Sequence, residues 1–180
     1  MESPFTIHAE AYARTLHRDQ RYGADPYWVH LKDVADEVAA WAPDYRIVEK
    51  GLENLIAAAW LHDSIEDQHE TREHLADLFN PEVARLVWAV SNEPGRNRRE
   101  RHEKTYPKIQ EVGKAALILK LADRIANVRT SMKQCKDPRS QGLLQMYWKE
   151  WPGFQQALRR YPGELPGMWR ELEELLLRKM

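Results

Sequence analysis

Cysteine is nearly absent. The lone Cys135 among 180 residues has nothing to pair with internally, so no disulfide framework supports the fold and a reducing compartment suits it. Long apolar runs are missing too: the longest, Leu55 to Leu61, has about seven residues, against the roughly 20 that span a bilayer. Net charge is close to nil. With 27 Lys and Arg against 28 Asp and Glu, a broad cationic surface for polymeric DNA or RNA is not indicated, though local charge can still matter. The opening stretch MESPFTIHAEAYA has an early Glu and no basic segment leading into an apolar one. No secretory signal is therefore expected, and the chain is assigned to the cytoplasm. Period-two alternation is missing as well, and with it any expectation of a strand.

What is present is helical. Hydrophobic residues make up 43% of the chain, with seven tryptophans, enough for one domain with a sizeable core. Apolar residues recur at helical spacing, predicting an all-α, single-domain bundle over 1–180. Helices are expected from Phe5 to about Gln20, Tyr27 to Ala40, Glu49 to Glu66, Thr71 to Leu78 and Asn80 to Val90, then from Ala115 to Met132, Gly142 to Arg160 and Leu165 to Lys179. Thr71 and Asn80-Pro81 are ready N-terminal caps. Gly23–Pro26 and Pro162-Gly163 read as breaks, and residues 92–104 as a charged connection.

Two places in this pattern are chemically out of keeping. The run AAAWLHDSIED leads from an apolar helix into His62, Asp63, Glu66 and Asp67. At about 100° per residue, Glu66, Asp63 and Asp67 fall about 40°, 100° and 140° from His62, all on one side. The second is AALILKLADRIANV, which sets Lys120, Asp123, Arg124 and Asn127 into an otherwise apolar helix. A buried ion-pair network and a hydrogen-bonded core histidine would account for these groups one at a time. Two charged patches in two buried helices favour a shared divalent cation, since imidazole and carboxylate together suit Mn, Fe, Co or Zn.

His30 in PYWVHLKDVA, the pair His62-Asp63 in LHDSIED and Asp123 in KLADRIANV resemble the successive signatures of the HD-domain metal-dependent phosphohydrolases. The longer strings LHRDQRYGADPYWVHLKDVADEV, AWLHDSIEDQHETREHLADLFNPEVARLVWAVS and LKLADRIANVRTS are similar to the Rel/Spo-type hydrolase domain, including its small stand-alone members, which removes the 3′-pyrophosphate of (p)ppGpp. The likeness spans about residues 8–132. It implies that His30, His62, Asp63 and Asp123 hold one divalent ion, usually Mn²⁺, and that Glu66 and Asp67 are the acid/base pair. It also implies that Asn127 faces the nucleotide sugar.

Other substrate contacts are read from the residues. The segment PGRNRRERHEKTYPK holds six Arg or Lys against two Glu, and forked guanidiniums there could clamp phosphates, with Arg98, Arg101 and Lys104 as candidates. The same run could be a solvated connection. Lys120 could neutralise a phosphate, while Arg124 suits a structural ion pair. The family's Arg-Lys pair in the first loop is replaced by Arg21 and Tyr22 after Gln20, either of which could stack on a base. Past residue 132 the likeness fades, and helices over 137–180 carry Met146, Trp148, Trp151, Phe154, Leu158, Trp169, Leu172 and Leu176 at helical spacing, a stripe for core packing or a homo-oligomer face. The expected partner is a small nucleotide. A nucleotide phosphomonoesterase, another pyrophosphohydrolase and a nucleotide sensor without turnover are the rival readings.

Overall fold

Caps written into the chain start five of the helices. In the computed structural model, which describes residues 3–159 and 164–178, Ser3 and Thr6 exchange side chain-to-backbone bonds at the head of α1 (Pro4–Leu16). Thr71 caps α5 (Arg72–Leu78), Asn80 caps α6 (Pro81–Val90), Asn97 caps α7 (Arg98–Val112) and Asp137 caps α9 (Pro138–Leu158). In each case a side-chain oxygen takes an N–H that the first turn would leave unpaired. The remaining helices are α2 (Trp28–Trp41), α3 (Glu49–Leu61), α4 (Ser64–Gln68), α8 (Lys114–Lys133) and α10 (Pro166–Leu177). The all-α expectation holds.

The core is wound around α8. Ala116 to Ala122, Ile125, Ala126 and Val128 are buried on nearly every side of it, because α2, α3, α6, α7, α9 and α10 all pack against this one helix. Of the C-terminal stripe, Phe154, Leu158, Trp169, Leu172 and Leu176 are buried, whereas Trp148 is 46% exposed. Most of that stripe therefore serves the core. The expected joint at Pro162-Gly163, and the helix ends at Arg160 and Lys179, lie outside the described residues.

Three details depart from the sequence reading. A two-residue ladder, β1 (Arg21–Tyr22) with β2 (Asp25–Pro26), closes through Gly23 at φ +65°, too short to leave an alternating pattern. Residues 98–112 are helix, not connection: the charges hide the periodicity but pair one turn apart, Arg99 with Glu103 and Lys104 with Glu100. Finally, the expected helix from Glu49 to Glu66 is two, because Asp63 takes φ −97°, ψ 0°. Ser64 Oγ donates to the Leu61 carbonyl at 2.6 Å across this break, so the His-Asp pair sits at a corner.

Candidate metal centre

That corner points into the bundle. His62 at the end of α3 and His30 on α2 are both buried, and Asp123 reaches in from α8. One donor atom from each of the three lies within 4.8 Å of the others. Asp63 completes the ring, its Oδ2 2.9 Å from His62 Nε2 and 3.7 Å from His30 Nε2, while Asp123 Oδ1 is 3.6 Å from His30 Nε2. The arrangement fits a divalent ion. His62 Nδ1 lies 2.8 Å from the Ala59 carbonyl, which can only accept, so a proton sits on Nδ1 and Nε2 is the nitrogen turned toward the ring. His62 Nε2 is buried with no hydrogen-bond partner despite its closeness to Asp63, as expected of a nitrogen kept for a ligand.

The outer groups hold this ring in place. Tyr27 Oη donates to Asp63 Oδ2 at 2.6 Å, Lys120 Nζ to Asp123 Oδ2 at 3.1 Å, and Asn127 Nδ2 to the Asp123 carbonyl at 3.0 Å. Tyr22 stacks on His30, centroids 5.0 Å apart, and its hydroxyl donates to Asn127 Oδ1 at 2.6 Å. Burial would raise the carboxyls, yet the His62 and His30 imidazoles hold Asp63 below the usual range, and Lys120 and His62 do the same for Asp123. Burial and the His62 charge push His30 down, keeping it available as a neutral donor.

Beside the ring opens a pocket of about 140 Å³. Its acidic wall is Glu66 and Asp67. Asn92 grips Glu66 through its backbone N–H at 3.1 Å and its amide at 3.0 Å, and Gln20 donates to Asp67 at 2.7 Å. Burial and then the Asp63 charge push the Asp67 carboxyl up. Arg98, Lys120 and Arg124 line the same pocket, as do His102 and Tyr147. Glu150 on α9 braces both arginines, 2.5 Å from Arg98 Nε and 2.9 Å from Arg124 Nη1. Burial and then Arg98 press the His102 imidazole down to about 3.

The pocket thus gathers His30, Asp63, Asp123, Glu66, Asp67, Arg98, Lys120 and Asn127, with His62 and Tyr22 against it. Three candidates fall elsewhere. Arg21 is exposed on the hairpin; Lys104 is turned to the Pro94 carbonyl at 2.8 Å and to Glu100; Arg101 does not line the pocket. The face of α7 explains the split: Arg98 and His102, one turn apart, line the pocket, whereas Arg101 and Lys104 lie on other faces of the helix. Tyr22 lays one ring face on His30 and commits its hydroxyl to Asn127. Asn92, His102, Tyr147 and Glu150 went unremarked in the sequence: each is a single polar or aromatic residue in ordinary surroundings, brought to the site by tertiary packing alone. Tyr27, one turn before His30, is the one residue whose spacing could have revealed it.

The chain matches the family model described as HD domain over residues 9–147. It is 35% identical over 139 residues to a GTP pyrophosphokinase rsh of Brucella suis, covering 73% of this chain and 17% of that protein. It is 28% identical over 171 residues to the guanosine-3′,5′-bis(diphosphate) 3′-pyrophosphohydrolase MESH1 of Danio rerio, covering 93% of this chain and 90% of that one. This chain thus spans about a sixth of the length of several curated relatives, the Brucella protein among them. A solved structure described as a metazoan ortholog of SpoT that hydrolyzes ppGpp superposes with a TM-score of 0.77 at 23% identity, over 99% of this chain and 97% of the other. The two share a fold.

Proposed function

The chain belongs to the HD-domain family, and from that premise we propose that it is a divalent-metal phosphohydrolase that cleaves the 3′-pyrophosphate from (p)ppGpp or a close analogue. The observation that carries the reading is the ring of His30, His62, Asp63 and Asp123, opening on a pocket lined by two further carboxylates, Glu66 and Asp67, and by three cations, Arg98, Lys120 and Arg124. The Danio rerio relative named as a 3′-pyrophosphohydrolase, matched over nearly its whole length, supports the choice of substrate.

In this reading the four ring residues hold one ion, Mn²⁺ by preference, with Zn²⁺, Fe²⁺ or Co²⁺ as chemically similar occupants. When bound, such an ion lowers the pKa of a water and polarises a phosphoryl oxygen. Glu66, fixed by Asn92, accepts the proton of the attacking water, a role typically worth about 10²–10⁴-fold. Asp67 is its partner in proton transfer. Arg98, Lys120 and Arg124 neutralise the pyrophosphate, the two arginines pre-aimed by Glu150 so that little rotamer entropy is lost on binding. Asn127 faces the sugar, and Arg21 alone in the first loop has a guanidinium free to meet a base. The overall step is ppGpp plus water to GDP plus pyrophosphate, so atoms balance without a further reactant. Among the described residues no helix is long and apolar enough to cross a membrane, in keeping with a small nucleotide met in the cytoplasm.

Product analysis tests this. With Mn²⁺ and ppGpp, GDP and pyrophosphate are expected in equal amounts. Release of orthophosphate instead would make the protein a phosphomonoesterase, and tight binding without products would make it a sensor.

A further inference from the structure

Gln20 lies at the neck of the short hairpin, where its carbonyl accepts from Tyr27 N–H at 3.1 Å. Both ends of its side-chain amide are in use. Nε2 donates to Asp67 Oδ2 at 2.7 Å, and Oε1 meets Gln68 Nε2 at 2.8 Å and His17 Nδ1 at 2.7 Å. A carbonyl oxygen cannot donate, so His17 Nδ1 carries the proton of that contact. Its Nε2 is buried without a partner, so the Gln20 contact is the only short one its ring nitrogens make among the described residues. His17 is 1% exposed and stacks on Tyr27, centroids 5.0 Å apart and 16° from parallel. It cannot swing aside.

Two donors on one oxygen leave the amide a single orientation. Turned over, it would set its NH₂ against two other donors and its carbonyl against the Asp67 carboxylate, losing three hydrogen bonds together. We propose that Gln20, gripped by His17 and Gln68, is a positioning residue that keeps an N–H aimed at Asp67 and so fixes where that carboxylate points. The inference rests on the reading of Asp67 as one of the acid/base pair. The Asp67 backbone N–H also donates to the Asp63 carbonyl at 2.8 Å, so the side chain is left to Gln20 to orient.

The test uses Gln20→Ala, the near-isosteric Gln20→Glu, and His17→Phe, which keeps a ring on Tyr27 but removes the donor. With ppGpp and Mn²⁺, kcat at pH 7 should fall roughly tenfold in Gln20→Ala and Gln20→Glu, and less in His17→Phe, where Gln68 still holds the amide, with KM nearly unchanged. Added to Asp67→Asn, Gln20→Ala should change kcat by less than about twofold, because the carboxylate it positions is already gone. A kcat in Gln20→Ala equal to wild type, or the same roughly tenfold loss in the Asp67→Asn background, overturns the proposal. Absence of turnover in the wild type would instead overturn the functional reading, and an Asp67 side chain oriented in crystals of Gln20→Ala as in wild type would by itself overturn the part given to Gln20.

Discussion

At the scale of single residues, the site keeps its reactive groups under tension with their surroundings. Glu66 is the proposed base, and its carboxylate takes its hydrogen bonds from Asn92. Replacing it with Ala should lower kcat at least about 10²-fold while the purified protein still binds one equivalent of metal; activity within a few-fold of wild type would assign the base elsewhere. His102 offers a second check, independent of turnover. Unfolded, its imidazole takes a proton near the ordinary 6.5, whereas folded it waits until about 3. The unfolded state binds more protons in between, so the His102 contribution to stability is present above about pH 6.5 and lost as the pH falls through that window. Urea unfolding between pH 7 and 4 should therefore show a shallower loss of stability in His102→Gln than in wild type, by up to about 1.4 kcal/mol per pH unit. Equal slopes would mean the ring is not held neutral. His102 could not be found in the sequence, because a lone histidine in a charged run carries no pattern. His62 and Asp123 could, because a charged or imidazole group in an apolar helix announces a compensating partner.

At the scale of elements, the helices were legible wherever burial left an apolar period and obscure wherever charge did the stabilising. Ala115 to Met132 was recognisable as central because α8 is covered on all sides. By contrast α7 buries only a narrow strip, His102, Thr105, Tyr106, Lys108 and Ile109, and carries Pro107 inside it, so its pattern reads as a loop. The break at Asp63 was invisible for another reason: both arms are helical, and only the corner's backbone angles separate them. One joint is open to a direct test. A β-carbon on Gly167, at the start of α10, would come within 2.6 Å of the Trp41 ring and 2.9 Å of Tyr45 Oη, and Trp41 is stacked on Tyr45. Gly167→Ala should cost about 1–3 kcal/mol in chemical denaturation, with metal binding intact. An unchanged midpoint would show that α10 is not seated against α2 as described.

At the scale of the whole molecule, α2, α3 and α8 meet through their buried apolar faces, and the ring residues lie where they converge. Metal should then act as a staple. At about 100 times its Kd a divalent ion bound only by the folded state adds about 2.7 kcal/mol, which for a chain of this size raises the Tm by about 5–10 °C. Asp123→Ala should erase that increment, since it removes a donor and leaves the buried Lys120 without its partner at 3.1 Å; an undiminished rise would remove Asp123 from the ligand set. The most direct measurement is an anomalous difference map from crystals grown with Mn²⁺. A single strong peak is expected with His30 Nε2, His62 Nε2 and oxygens of Asp63 and Asp123 about 2.0–2.3 Å away. No peak at saturating Mn²⁺, or one bound by other side chains while these four keep only one another as neighbours, would contradict the account.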